Sequence, residues 1–160
     1  MKFKNSSAFT LIELLVGISI IAIVFSIGVA NYRDFARRES LNGIVKQIKG
    51  DLRTAQQLAL SGKKPTSSSC DILNTYTFSL SGSNSYKIVT KCTSNSGVTS
   101  TVDYKIVNLD SNITISSPLS SIDFKVLGQG TNLSATNIIT LTHVGGSQST
   151  ISVGVGGDVN

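Results

Sequence analysis

The chain has 160 residues, of which 40% are hydrophobic and 14% are charged, and its formal net charge is +5. Lys2 and Lys4 supply two of the 14 basic residues, so 12 basic residues face nine acidic ones beyond the first eight positions, an excess of +3. This mild excess is spread along the chain, which argues against a basic nucleic-acid-binding face. The length leaves room for an apolar N-terminal segment and one modest globular domain.

Residues Phe9–Ala30 form an apolar run in which Glu13 is the only charged residue. As a helix the run would be about 33 Å long, which matches the hydrocarbon thickness of a bilayer. Basic residues precede it, which predicts a cytoplasmic N-terminus. Asn31-Tyr32-Arg33 follows it, and this triplet is not a small-x-small cleavage site. We therefore predict a single-pass membrane anchor that stays attached.

The sequence AFTLIELLV, from Ala8 to Val16, resembles the class III prepilin signal of type IV pilins and type II secretion pseudopilins. This resemblance implies that residues 1–8 are a leader, which a prepilin peptidase removes by cleaving between Ala8 and Phe9. It also implies methylation of the new N-terminal amine on Phe9. The family usually has Gly where this chain has Ala8.

The resemblance further implies the location and the partners of the protein. We expect it in a bacterial inner membrane, with its C-terminal domain outside the cytoplasm, and afterwards in a pilus or pseudopilus. The expected partners are the prepilin peptidase, the other filament subunits and the inner-membrane assembly platform.

The carboxylate of Glu13 is costly in lipid unless a cation neutralises it. The Phe9 amine is such a cation, and the two residues are one helical turn apart within a chain. In a filament, Glu13 could instead neutralise the Phe9 amine of a neighbouring subunit, which would fix the subunit register. The remaining alternative is that Glu13 lies at the cytoplasmic interface without a partner.

The helix is predicted to continue over residues 31–62, because no proline occurs between Phe9 and Lys64. Apolar residues follow a three-four spacing, which predicts an amphipathic stripe: Leu41, Val45, Ile48, Leu52, Ala55 and Ala59. Gly62 is the expected C-cap, and Pro65 prevents further helix.

Residues 63–160 are rich in Ser, Thr, Asn and Gly and contain short segments typical of strands. The predicted strands are Thr75–Leu80, Tyr86–Cys92, Val98–Leu109, Ile113–Ser116, Ile122–Leu127, Ile138–Thr142 and Thr150–Val155. The short connections favour antiparallel pairing. The fold class is therefore α+β and pilin-like: one long N-terminal helix, with a transmembrane half and an amphipathic half, packed against an antiparallel β-sheet domain.

Two segments are similar to the GspH/FimT group of minor pilins and pseudopilins: LRTAQQLA at Leu52–Ala59, and the last strands with their Gly-rich ends. This implies a structural subunit of a type II secretion pseudopilus or a type IV pilus, not an enzyme. Many members end the last hairpin with Gly-Arg-Val, and some are thought to bind DNA through basic residues in this C-terminal region. Here the segment is Gly157-Asp158-Val159, which argues against transferring DNA binding to this chain.

Two other functions stay open from the sequence. One is a DNA-uptake or adhesion module displayed on a pilus, with Lys63, Lys64, Lys87 and Lys91 as candidate DNA contacts. The other is an anchored extracytoplasmic domain that never polymerises.

Cys70 and Cys92 form an even pair, which predicts a disulfide in an exported domain. The alternatives are two buried free thiols or a metal site, for which His143 would be the only added histidine.

No pattern indicates catalysis, a cofactor or a bound metal. His143 has no nucleophile or carboxylate that the sequence places beside it, and the serines lack a G-x-S-x-G context. Asp110 with Asn112, and Asp158 with Asn160, are better explained by turn chemistry than by calcium binding.

Overall fold

A computed structural model describes residues 10–66 and 70–160 of the chain. The chain divides into two compact units, with the division between Arg37 and Arg38. The helix α1, Leu11–Leu60, contributes residues to both units. The predicted boundary between an anchor at 9–30 and an amphipathic continuation at 31–62 remains an expectation about the membrane.

The second unit contains seven strands among the described residues, and all their pairings are antiparallel. They are β1 Ile72–Leu80, β2 Ser85–Thr93, β3 Thr99–Asn108, β4 Ile113–Ser116, β5 Ser121–Lys125, β6 Asn137–His143 and β7 Gln148–Val153. They form a four-stranded sheet in the order β3-β2-β1-β5 and a three-stranded sheet in the order β4-β6-β7. Each predicted strand overlaps one of these, and the α+β fold class is confirmed.

The amphipathic stripe on α1 is buried as predicted. Its six residues are at most 8% exposed, and Ile48, Leu52 and Ala55 are completely inaccessible. They join one hydrophobic core with side chains from both sheets, such as Tyr86 and Ile139. Each sheet packs its apolar face against this core, so tertiary packing stabilises the second half of α1.

The C-terminal end of α1 lies at the predicted C-cap glycine. Gly62 has a φ of +62°, and its N–H donates to the Ala59 carbonyl at 3.1 Å. The Lys63 N–H donates to the Leu58 carbonyl at 3.2 Å. These two bonds form a Schellman motif, for which a glycine without Cβ is the favoured residue.

Two predicted strands are two residues too long at their C-terminal ends. The predicted Ile122–Leu127 stops at Lys125, where a 3₁₀ turn over Val126–Gly128 begins. The Lys125 N–H donates to the Gly130 carbonyl at 2.9 Å, which closes this loop and places Leu127 at a φ of 56°.

The predicted Thr150–Val155 likewise ends at Val153. The Gly154 N–H donates to the Asp158 carbonyl at 2.9 Å, so the chain turns there instead of extending. In both places the residues after the strand include apolar ones that continue the strand pattern, so the sequence did not show that the chain turns there.

Cys70 and Cys92 form a disulfide, which selects one of the three alternatives left by the sequence. Cys92 lies on β2, and Cys70 lies just before β1, so the bond fastens the entrance of β1 to its neighbouring strand. The two cysteines are 22 residues apart.

Replacing both cysteines with alanine is expected to lower the free energy of unfolding by about 3 kcal/mol, because the unfolded chain gains the freedom of an open loop. In thermal unfolding of the full chain in detergent, followed by circular dichroism, the midpoint should fall by roughly 10 °C. Adding a reductant to the unmodified protein should give a similar decrease. An unchanged midpoint in the variant would contradict a stabilising role for the bond.

Candidate assembly site

Glu13 lies in the first turn of α1, directly after the helix start. Its backbone N–H donates to Oγ1 of Thr10 at 3.4 Å, and the Thr10 hydroxyl donates to Glu13 Oε2 at 3.5 Å. A Thr followed three residues later by a Glu is the pattern of a capping box, and the positive helix end favours the carboxylate. Sequence reasoning missed this partner, although Thr10 and its spacing to Glu13 were visible.

The predicted cleavage and methylation residues, Ala8 and Phe9, lie outside the described residues. The pairing of the Phe9 amine with Glu13, within one chain or between subunits, therefore stays a prediction.

From Leu11 to Phe25, the described large apolar side chains of α1 are all exposed. In the most apolar window the mean hydropathy is 2.5 and none of the window is buried. The Ser19 hydroxyl donates to the Leu15 carbonyl at 2.8 Å, so its polar group is satisfied within the helix. By length and composition α1 could cross a membrane, and no other described helix could. Such a surface needs lipid or other apolar helices around it.

Polar and aromatic residues follow the apolar surface on α1. Tyr32 and Phe35 are both more than 60% exposed, and the Arg37 guanidinium lies 3.4 Å from the Asp34 carboxylate. Aromatic and charged residues at this point are typical of the boundary between lipid and water.

The four lysines predicted as DNA contacts have different surroundings. Lys63 and Lys64 line one cavity. The Lys64 ammonium donates to the Asp71 carbonyl. Lys87 lies 3.9 Å from Asp103, and Lys91 contacts both carboxylate oxygens of Asp123 at 3.0 and 3.1 Å. Carboxylates therefore partly neutralise Lys87 and Lys91, which weakens the case for a continuous phosphate-binding face.

An ion pair with a buried carboxylate and an exposed lysine links α1 to the four-stranded sheet, and sequence reasoning missed it. The Lys105 ammonium lies 2.7 and 2.9 Å from the two carboxylate oxygens of Asp51, and the Tyr86 hydroxyl donates to Asp51 Oδ2 at 2.7 Å. Burial raises the pKa of Tyr86 well above its usual range, and the hydrogen bond to the Asp51 carboxylate raises it further. Tyr86 therefore remains a donor to Asp51 at any physiological pH.

The residues that the sequence assigned to turns have turn contacts. Nδ1 of His143 accepts a hydrogen bond from the Gly145 N–H at 2.9 Å, and Asp110 Oδ1 accepts one from the Asn112 N–H at 2.9 Å. The Asn160 side chain donates to Asp158 at 3.4 Å. Within residues 10–66 and 70–160, no group of three or more His, Cys, Asp or Glu side chains could hold a metal ion.

A family model for the prokaryotic N-terminal methylation motif matches residues 3–29. No curated protein and no solved structure matches the chain. The motif supports a type IV pilin-like protein that a prepilin peptidase processes, and it is consistent with anchoring in the inner membrane.

Proposed function

We propose that the protein is a minor pilin or pseudopilin of the GspH/FimT type, a structural subunit that assembles through α1. The observation that carries this proposal is the methylation motif at residues 3–29 at the start of a helix whose described large apolar side chains are exposed from Leu11 to Phe35. An isolated membrane anchor needs no such processing motif. The filament would be a type II secretion pseudopilus or a type IV pilus.

In this proposal the subunit moves from the inner membrane into the filament with little change in the surroundings of its helix. Apolar helices of neighbouring subunits replace the lipid around α1, so few apolar side chains enter water. The second half of α1 has its stripe from Leu41 to Ala59 already buried against the two sheets formed by β1 to β7, which we call the β domain. It would therefore carry that domain into the filament as a folded unit.

Glu13 is proposed to select the position of each incoming subunit. Thr10 and the helix end stabilise its carboxylate in the free subunit, but its charge still lacks a cation among the described residues. The amine that cleavage creates at Phe9 of a neighbour would supply this cation. A subunit docked in a wrong register would leave both charges unpaired in apolar surroundings.

Mass spectrometry of the mature N-terminus tests the proposal. The full chain, coexpressed with a prepilin peptidase, should lose residues Met1–Ala8 and gain the mass of one methyl group on Phe9. A variant with a large basic residue in place of Ala8 is the control, and it should keep the leader. An unmodified chain that retains Met1–Ala8 beside an active peptidase would contradict the proposal.

A further inference from the structure

We infer that two features of β3 keep the open edge of this strand from pairing with a second copy of the chain. They are a β-bulge at Tyr104 and the inward-pointing Lys105, and we call them together the edge protection. The inference concerns the β domain alone, so it holds whether or not the subunit enters a filament.

Each of the other three sheet edges is bonded in part to another segment of the same chain. The Asn132 N–H donates to the Asp123 carbonyl on β5 at 3.1 Å. The Ile115 N–H on β4 donates to a carbonyl in the β1–β2 turn at 2.7 Å. At β7, the N–H and the carbonyl of Ser152 both bond to Asn160 at 3.0 Å. These contacts occupy backbone groups that an edge strand would otherwise offer to another chain.

The outer side of β3 is different. No backbone hydrogen bond between described residues joins Thr101–Asn108 to a segment outside the sheet. With ten residues, β3 is also the longest of the described strands. Apolar side chains flank the edge, since Tyr104 is 49% and Ile106 is 60% exposed. A long open edge with exposed apolar side chains is a template for strand pairing, so the chain needs features that prevent it.

The first protecting feature is the β-bulge. Lys105 pairs with Ile88 on β2. The next residue of β2 pairs with Asp103, so Tyr104 has no partner in this ladder. A bulge bends its strand and interrupts the row of outward backbone groups. Five residues of β3 precede Tyr104 and four follow it, and a straight strand from another chain could bond to only one of these short pieces.

The second protecting feature is the inward position of Lys105. Its partner Ile88 is completely inaccessible and belongs to the core, and residues directly opposite in a sheet point to the same face. Lys105 therefore lies on the face that packs against the core, where its ammonium contacts the Asp51 carboxylate at 2.7 and 2.9 Å. The Lys105 side chain is still 41% exposed. A strand added beside β3 would take water from this charge, which is unfavourable.

The ion pair with Asp51 keeps a charge at a part of the edge that is otherwise apolar. From Thr101 to Asn108, the other paired residues on this face are Val102 and Val107. Without Asp51, the long and flexible lysine could turn away from the core into water. Without the lysine, an added strand would bury this side of β3 with no cost for desolvating a charge. The ion pair thus protects the edge in addition to joining α1 to the sheet.

Two variants remove the protecting features separately. Asp51→Asn with Lys105→Met removes the inward charge, leaves no buried carboxylate behind and keeps the net charge. Deletion of Tyr104 removes the bulged residue and leaves the pairings on both sides of it in register. Asp123→Asn with Lys91→Met is the matched control. It removes an ion pair 3.0 Å long, with side chains 19% and 38% exposed, from the same sheet but away from the open edge.

Hydrogen–deuterium exchange with mass spectrometry would be measured on the full chain in nonionic detergent micelles. Peptides from β3 report pairing at this edge and are insensitive to association through the apolar part of α1. In the unmodified chain and in the control, their exchange should not depend on protein concentration. In each of the two variants, it should slow at least about fivefold in concentrated samples, because a second β3 bonds the outward N–H groups.

Slower exchange of β3 in concentrated samples of the unmodified chain would overturn the inference, because the edge would then pair despite its protection. Equal slowing in the control would also overturn it. A variant that retains a cooperative thermal transition and shows no slowing overturns the role of the feature it removes. If deletion of Tyr104 prevents folding, the double variant decides. Lys105→Arg keeps the inward charge and should exchange like the unmodified chain, and slowing in this variant would contradict the role of the charge.

Discussion

The Glu13→Ala variant is expected to insert into the inner membrane normally and to enter the filament at least about tenfold less often, because an incoming subunit then leaves a neighbour's amine unpaired in apolar surroundings. A tenfold decrease corresponds to about 1.4 kcal/mol, which is modest beside the cost of an unpaired buried charge. Sheared filaments and membranes from cells with an intact assembly system would be compared by immunoblot.

Glu13 has a second role that the same experiment must separate, because its carboxylate accepts a hydrogen bond from the Thr10 hydroxyl, which caps the helix. Glu13→Gln resolves this point: glutamine also occupies this position in capping boxes, but it carries no charge. If the charge selects the register, Glu13→Gln should assemble as poorly as Glu13→Ala. If Glu13→Gln enters filaments like the unmodified chain, the pairing hypothesis is wrong and the role of Glu13 is capping.

The control for both variants is Glu39→Ala. Glu39 is an exposed carboxylate on the same helix, and no ion pair involves it among the described residues. Its removal makes the same change in net charge at a position beyond the apolar surface. If Glu39→Ala assembles normally, the lower filament incorporation of Glu13→Ala comes from the position of Glu13 in the first turn of α1 and not from the change in net charge.

Periodic patterns made most of the fold predictable from the sequence. The stripe from Leu41 to Ala59 fixes which face of α1 is buried, because its spacing keeps six apolar residues on one side. Gly62 marks the helix end, because its positive φ suits a residue without Cβ. Alternation within segments such as Tyr76–Leu80 located the strands.

The division of the strands into two sheets could not be predicted from the same patterns. Strand β5 returns to pair with β1 across 40 or more residues, whereas the preceding β4 pairs with β6 in the other sheet. These pairings depend on long-range packing around α1 and not on the local alternation, which is similar in β4 and β5.

The polar contacts were the least predictable feature. Asp51 is next to Leu52 in the sequence and would suit a solvated helix face, yet it is only 9% exposed. Its partners Tyr86 and Lys105 are 35 and 54 residues away, so no spacing rule points to them. A sequence shows that a charge lies near a core stripe, but not which distant groups make its burial tolerable.

Replacing Lys105 with methionine should destabilise the β domain more than replacing Asp51 with asparagine, although both changes break the same ion pair. The Asp51 side chain is 12% exposed, whereas that of Lys105 is 41% exposed. Without Lys105, the Asp51 carboxylate stays buried with only the Tyr86 hydroxyl beside it, which should cost about 3 kcal/mol. In Asp51→Asn, Lys105 can turn into water and the new amide oxygen still accepts from Tyr86, so the change should cost about 1 kcal/mol.

Thermal unfolding of the full chain in detergent measures this asymmetry. The midpoint should fall by roughly 10 °C in Lys105→Met and by a few degrees in Asp51→Asn. Lys87→Met is the matched control, because its pair with Asp103 is 3.9 Å long and both side chains are more than a third exposed. It should change the free energy of unfolding by less than about 0.5 kcal/mol.

The double variant Asp51→Asn with Lys105→Met completes the test. Once the buried carboxylate is gone, the loss of Lys105 should cost almost nothing further, so the double variant should be more stable than Lys105→Met alone. Additive losses would mean that Lys105 stabilises the domain through the packing of its aliphatic chain and not by neutralising Asp51. If Asp51→Asn lowers the free energy of unfolding more than Lys105→Met does, the explanation by the burial of the Asp51 carboxylate is wrong.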